Sequence, residues 1–286
     1  MINQIIHGDC FEILRDIPDG SIDAVITDPP YMTTDLNFDK VGLNIDLFCQ
    51  LLLSKLKPDG QLAVFGSIEL LANISNIYPI RWTGMWLKPS GVIRKHNAKK
   101  PMSRSECYAI FAHPKHKISN LTYNKIFIPG TPYKVVQRNT GYVRDGKNQI
   151  DRATTSAWTQ DGYILINEGN RQQTDVIEAP NKPSMKHSEK TIHPTQKPIH
   201  LMSTLIQWIS NPGDLILDPF AGSGTTAVAC KELGRNYICI EKEREYVDII
   251  HQRLDTPITE RGLTVEEQVE IEEKVKPSHQ QLSLFS

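Results

Sequence analysis

The chain has 286 residues, 39% of them hydrophobic, and a formal net charge of -1. That length and apolar content suit one large α/β domain with an insert, or two small domains, and the charge balance argues against a uniformly cationic nucleic-acid binder. No apolar run reaches membrane-spanning length, the amino terminus carries no signal pattern, and five cysteines without a CxxC pair read as reduced thiols of a cytoplasmic protein. Nine histidines show no HExxH or comparable spacing, so no metal is expected.

Residues 2–6 read as a short strand, broken at Gly8-Asp9, where Asp9 suits the cap of a helix over residues 10–16. Pro18-Asp19-Gly20 is a turn. The apolar run 22–27 reads as a buried strand that stops at Asp28-Pro29-Pro30-Tyr31, because proline lacks a backbone donor and fixes its own φ. An acid and an aromatic ring are thus held on a stiff turn at the carboxyl end of a strand, the edge where open α/β sheets bind ligands. Asp28 and the Pro29 carbonyl are two acceptors suited to an NH2 group, and Tyr31 offers a ring face for a flat base. The plainer reading is a strand-ending turn with a surface acid and a packed ring.

A helix over 47–56, a turn at Pro58-Asp59-Gly60, a buried strand over 61–65, a helix over 68–77 and strands over 80–87 and 107–112 follow. Alternating strand and helix implies a doubly wound, mostly parallel sheet. Charge is not evenly spread. Residues 81–190 carry 19 Lys and Arg against 8 Asp and Glu, leaving 13 against 25 in the rest. Lys88, Arg94, Lys95, Lys99, Lys100 and Arg104 lie in a stretch without an acid, which reads as a phosphate-binding footprint or, more plainly, as a solvated loop. From 116 to 190 regular periodicity fades among Gly, Pro, Asn and scattered aromatics. This reads as an irregular inserted module, with Arg138, Arg144, Arg152, Asn148, Gln149, Gln172 and Gln173 as candidates for touching DNA.

Order returns with His193-Pro194-Thr195-Gln196-Lys197-Pro198, which leads into an amphipathic helix over 199–209. A strand over 214–217 ends in Asp218-Pro219-Phe220-Ala221-Gly222-Ser223-Gly224-Thr225-Thr226, followed by a helix over 226–233 and a strand over 236–240 that ends at Glu241. Strand, glycine loop, helix, strand, acid is the plan of a nucleoside-cofactor site. The glycines would let a ligand approach the backbone, and Glu241 would accept from ribose hydroxyls. GxG in place of GxGxxG suits a cofactor without a pyrophosphate.

Asp28-Pro29-Pro30-Tyr31 together with the 218–226 loop resembles the S-adenosylmethionine-dependent DNA amino-methyltransferases. The order, catalytic turn first and cofactor loop last, is similar to their circularly permuted beta class. His193 to Pro198 and Gly8-Asp9 resemble two further motifs of that family. The resemblance covers about residues 1–115 and 190–254. It implies a Rossmann-like methyltransferase fold. Residues 1–115 would form the catalytic half, 116–190 a target-recognition insert, 191–255 the cofactor half, and 256–286 a charged tail. In the roles it implies, Asp28, Pro29, Pro30 and Tyr31 hold the target base. Phe220, Ala221, Gly222, Ser223, Gly224 and Thr225 surround the methionine part of S-adenosylmethionine above Asp218, Glu241 takes the ribose, and Asp9 lies near the adenine. Thr195 and Lys197 close over the methionine end, while His193 either joins them or only braces the turn.

The implied reaction is methyl transfer to a flipped base in duplex DNA, at adenine N6 because an opening Asp goes mostly with adenine in the family. Cytosine N4 and a catalytically silent DNA-binding protein are the alternatives, and a homodimer is left open. The resemblance places the chain in a bacterial or phage setting. Gln281-Leu282-Ser283-Leu284-Phe285 resembles the peptide by which bacterial replication and repair proteins dock on the sliding clamp. Gln281, Leu282, Leu284 and Phe285 would be its anchors, unless the apolar residues fold back onto the domain.

Overall fold

A computed structural model describes residues 2–30, 44–89, 101–137, 163–167 and 169–256. Tyr31, Arg94, Lys95, Lys99, Lys100, Arg138, Arg144, Asn148, Gln149, Arg152 and the tail residues Gln281, Leu282, Leu284 and Phe285 lie outside the described residues. The chain divides into two units, 1–126 with 174–273, and 127–173 with 274–286.

In the larger unit, β1 (Gln4–His7), α1 (Cys10–Asp16), β2 (Ile22–Thr27), α2 (Ile45–Lys55), β3 (Leu56–Phe65), α3 (Ile68–Ser75), β4 (Ile80–Leu87) and β5 (Ser105–Ala112) make the first half. The second half of that unit holds β10 (Val176–Glu178), α4 (Ile199–Ile209), β11 (Leu215–Asp218), α5 (Thr225–Glu232), β12 (Asn236–Glu241) and α6 (Arg244–Asp255). The eight strands form one sheet in the order β1-β12-β11-β2-β3-β5-β4-β10. Pairing is parallel from β1 to β3 and between β4 and β10, while β5 runs antiparallel to β3 and to β4. This is a doubly wound, mostly parallel α/β sheet of the Rossmann-like kind.

Side chains alternate across the sheet, so each strand feeds two cores. Ala24, Ile26, Ala63 and Phe65 pack with α4, α5 and the buried side of α6 on one face. Val25, Leu62 and Val64 pack with α1, α2 and α3 on the other. The expected strands and helices are present with ends shifted by a few residues. Pro58-Asp59-Gly60 is not a separate turn. β3 starts at Leu56 and passes through these residues in a bulge, where pairing with β2 steps from Ile22↔Leu56 to Ala24↔Gln61. A bulge is where a strand tolerates proline and glycine, and the Lys57–Asp23 ion pair at 2.6 Å lies beside it.

The span 116–190 does not behave as one module. Residues 116–126 and 174–190 belong to the larger unit, and β10 supplies the edge strand of its sheet. Three residues are too short to show a period, so β10 had no signal of its own. The smaller unit contains β6 (Phe127–Pro129) paired antiparallel with β9 (Asn170–Gln172), and β7 (Tyr133–Gln137) paired antiparallel with β8 (Tyr163–Asn167).

Gly84 marks the tightest packing at that edge. Tyr108 is its partner across β5, and the Tyr108 hydroxyl donates to the Asp175 carbonyl at 2.7 Å. A Cβ on Gly84 would lie 2.3 Å from both that carbonyl oxygen and the tyrosine hydroxyl. Gly84→Ala is therefore expected to lower stability by about 1–3 kcal/mol or more, since backbone and a buried ring must both shift. Urea unfolding of the two proteins measures this, and equal midpoints would contradict it.

Candidate active site

The strands β1, β12, β11 and β2 end at one edge of the sheet, and each ends near an acid. His7 of β1 is level with Glu241 of β12, so Asp9 follows directly beside it. Asp9 caps α1 through the Phe11 amide at 2.9 Å and lies 3.6 Å from Lys242. The Glu241 carboxylate accepts from the Gly222 amide at 2.7 Å and the Glu243 amide at 2.8 Å. Burial pushes it up, against the pull of those amides. A carboxylate has about four acceptor positions, so two amides leave capacity for hydroxyl donors. The same contacts fix the loop to the next strand.

Asp218 is fully enclosed at the end of β11. It accepts from the Phe220 amide and the Thr226 hydroxyl. Burial pushes its carboxyl up to about 7, while those hydrogen bonds pull the other way. The loop above it is held from below. Arg253 of α6 donates to the Ser223 carbonyl at 2.6 Å and to the Thr225 hydroxyl at 3.1 Å, and Thr225 donates to the Lys197 carbonyl at 3.0 Å. The Ser223 and Thr225 side chains are therefore buried and turned inward. Phe220 packs on Phe48 with ring centroids 5.4 Å apart, and Ala221 is buried.

The glycines have a reason beyond ligand approach. Gly222 and Gly224 have φ of 52° and 73°, the left-handed region. A Cβ on Gly224 would lie 2.6 Å from the Ile250 side chain of α6, and one on Gly222 would lie 2.9 Å from the His193 ring. His193 is buried there and meets Tyr246 edge-to-face at 4.5 Å. His193 thus packs against the glycine loop from the 193–198 segment.

Asp28 follows β2 directly and sits next to the loop leaving β11, with Pro29 buried and Pro30 half-buried behind it. Its Oδ2 accepts from Lys197 Nζ. Lys197, expected over the cofactor's methionine end, is paired with the acid that follows β2. Thr195, expected with it, is exposed. Glu106 of β5 is a second acid near Lys197, with Oε2 3.4 Å from Nζ, and its Oε1 accepts from Lys88. Burial alone would push the Glu106 carboxyl up, but Lys197 and Lys88 together outweigh it and hold it below the usual range.

Lys88 is thereby corrected. It is 6% exposed and committed to Glu106, so it is not a solvent-facing phosphate contact. Arg104 stays exposed, and its guanidinium donates to the Lys88 carbonyl. Sequence reasoning missed Glu106, Arg253 and the whole of α6. The helical spacing of Val247, Ile250 and Leu254 was a usable signal for α6, and nothing comparable marked Glu106.

Two buried groups oppose each other in pH. His193 is pushed down to about 4 by burial and by nearby Lys197, Lys182 and Arg253. Between about pH 4 and 6.5 the unfolded histidine binds a proton that the folded one refuses, so this group makes stability rise with pH. Asp218 does the reverse. Between about pH 4 and 7 the folded carboxyl keeps a proton that the unfolded one has lost, so stability falls as pH rises. Each slope is at most about 1.4 kcal/mol per pH unit. Urea unfolding at pH 4.5, 5.5 and 6.5 should show Asp218→Asn shifting the slope towards rising stability, and His193→Gln towards falling stability. Unchanged slopes in both variants would contradict the two assignments.

A family model described as DNA methylase, the N6/N4 methyltransferases, matches residues 22–252. Type II methyltransferase M.HinfI of Haemophilus influenzae is 30% identical over 279 residues, covering 88% of this chain and 68% of the relative. Type II methyltransferase M.BglII of Bacillus subtilis is 30% identical over 278 residues, covering 88% and 69%. Among solved structures, the M1.HpyAVI–SAM complex is 27% identical with a TM-score of 0.59, covering 88% of this chain and 99% of that one. PvuII DNA methyltransferase (cytosine-N4-specific) shares the fold, with a TM-score of 0.58 at 17% identity over 95% of this chain and 91% of that one. With a sheet edge that carries Asp28 beside the 218–226 loop and a family match over most of its length, this chain belongs to the N6/N4 DNA methylase family.

Proposed function

We propose that the chain transfers a methyl group from S-adenosylmethionine to the N6 amino group of adenine in a specific duplex DNA site. The observation that carries this reading is the adjacency of β2 and β11, which sets Asp28 beside the loop from Asp218 to Thr225. M1.HpyAVI, which shares the fold, is described in complex with SAM. The donor set here suits that molecule. Asp9 and Glu241 stand side by side as acceptors for a nucleoside. Asp9, Glu241 and the backbone of 220–225 would hold it, and it supplies an activated methyl group.

The chain's own residues then have defined tasks. An aromatic amine is a poor nucleophile because its lone pair is delocalised into the ring. Asp28 and the Pro29 carbonyl accept from its two N–H bonds, which favours a tetrahedral nitrogen and stabilises the positive charge that develops there. Tyr31 stacks on the extruded base, whose flipping costs a few kcal/mol. The basic residues Arg94, Lys95, Lys99, Lys100 and Arg104 supply phosphate contacts, and Arg138, Arg144 and Arg152 belong to the recognition region. Adenine is preferred to cytosine on the Asp that opens the turn.

Asp28→Ala should reduce methylation by a factor of about 1,000 or more while S-adenosylmethionine binds within a few-fold of wild type, because Asp28 acts on the amine. Transfer of labelled methyl to mixed-sequence DNA and calorimetric titration measure the two. Mass spectrometry of the modified nucleosides then tests the base: N4-methylcytosine in place of N6-methyladenine overturns the adenine assignment, and no methylated base at all favours the silent DNA-binding protein.

The tail residues Gln281, Leu282, Leu284 and Phe285 are proposed to dock on the bacterial sliding clamp, which would raise the enzyme's effective concentration on newly replicated DNA. Removal of 281–286 should abolish clamp binding and leave methylation of a short duplex unchanged. Loss of that methylation would favour the fold-back reading.

A further inference from the structure

Four charges alternate through the interior behind the catalytic turn: Lys88, Glu106, Lys197 and Asp28. Lys88 donates to Glu106 Oε1, Glu106 Oε2 lies 3.4 Å from Lys197 Nζ, and Lys197 donates to Asp28 Oδ2. Both lysine side chains are under one-tenth exposed, at 7% and 8%. Both ammonium groups rest on aromatic rings. Lys197 Nζ is 5.1 Å from the Phe65 centroid and 5.8 Å from that of Trp86, and Lys88 Nζ is 4.8 Å from Trp86. The run sums to zero formal charge, and the two acids offset the cost of enclosing the two lysines.

The Lys197 ammonium on Asp28 has the chemistry that the target amine acquires during transfer: a nitrogen with protons to give and positive charge to be stabilised. Asp28 can accept from both, but as positive charge develops on the amine the two cations repel each other across the carboxylate, and the Lys197 contact weakens. A buried ammonium cannot be left without a partner. Glu106 Oε2 is already 3.4 Å from Lys197 Nζ, and Lys88 balances the Glu106 charge. We propose that Glu106 is a positioning residue that takes Lys197 from Asp28 as the target amine arrives, so that Lys197 stands in for the amine whenever the base pocket is empty. The inference rests on the reading of Asp28 as the amine's acceptor. Its consequence is selectivity between amino and keto bases. A flipped thymine presents a carbonyl oxygen to Asp28, makes no N–H donation there, and leaves Lys197 where it is.

The test is a double-mutant cycle on the full chain, read by single-turnover methylation at saturating DNA and S-adenosylmethionine. Glu106→Gln should slow transfer by about 10- to 100-fold, with affinity for S-adenosylmethionine within twofold of wild type. Glu106→Asp, which keeps the charge, should recover part of the rate. In a Lys197→Met background, Glu106→Gln should cost less than about twofold, because there is no ammonium left to receive. Losses that simply add, or a Glu106→Gln enzyme at wild-type rate, would overturn the handover. If Glu106→Gln does not fold because Lys88 has lost its carboxylate, Lys88→Met with Glu106→Gln carries the same cycle. Asp28→Ala is run alongside. An active Asp28→Ala enzyme overturns the reading of Asp28 and this inference with it, whereas an inactive one with an additive cycle overturns the handover alone.

Discussion

Parallel pairing of β1, β12, β11, β2 and β3 is the constraint on which the rest of the molecule depends. Parallel strands all finish on the same side, so the loops that leave them must converge on one edge. Residues from opposite ends of the chain meet there only for that reason. Asp9 follows β1, Glu241 ends β12, Asp218 ends β11 and Asp28 follows β2. The order in which the chain visits these strands is immaterial to the geometry. The turn that follows β2 early in the chain and the loop that follows β11 late in it still lie side by side, because β2 and β11 are neighbours in the sheet.

Convergence brings four carboxyl groups to one edge, and the chain handles each differently. Asp9 meets a helix amide and a nearby lysine, and Glu241 meets two backbone amides. Asp28 has a buried cation. Asp218 has hydrogen bonds and, among the described residues, no ion pair, and with its carboxyl near 7 it can meet the crowding by keeping its proton. The division follows position. The enclosed acid under the loop works as a hydrogen-bonding strut, for which charge is unnecessary. The partly buried acid after β2 instead meets the ammonium of Lys197.

Much of this was legible in sequence. Apolar runs ending in Asp28-Pro29-Pro30 and in Asp218 to Gly224 identified the strands, the turn and the loop, since proline and glycine act locally. The acid partner Glu241 was legible because it sits at the end of a strand of ordinary length. What could not be read was pairing over long sequence separation. Lys88 looks like one of six cations in an acid-free stretch, and only the β4–β5 pairing brings Glu106 level with Trp86 and so within its reach. Lys197 lies in a motif whose family role points to the cofactor, and only the folded sheet reveals Asp28 as its partner. Arg253 lies on a helix whose apolar stripe was overlooked, so its grip on Ser223 and Thr225 had no antecedent. The insert was drawn too wide because β10 is a three-residue strand, stabilised by its neighbour β4 and not by its own pattern.

The glycine loop illustrates how a ligand-binding motif can be a packing motif at the same positions. Gly222 and Gly224 need left-handed backbone, and the space a side chain would take is filled by His193 and Ile250. The polar side chains between and after them turn inward to Arg253 and the Lys197 carbonyl. Much of the loop's backbone is bonded inward as well, the Gly222 amide to Glu241, the Ala221 amide to the Ile240 carbonyl and the Ser223 carbonyl to Arg253, so its shape is set by contacts with α6, β12 and the 193–198 segment. A loop fixed from within loses little further freedom when a ligand settles on it, so its share of the ordering cost is met during folding. The bond from Thr225 to the Lys197 backbone has a further effect. It ties Lys197, the partner of Asp28, to the floor of the 218–226 loop, so the turn after β2 and that loop are held by one continuous piece of packed structure.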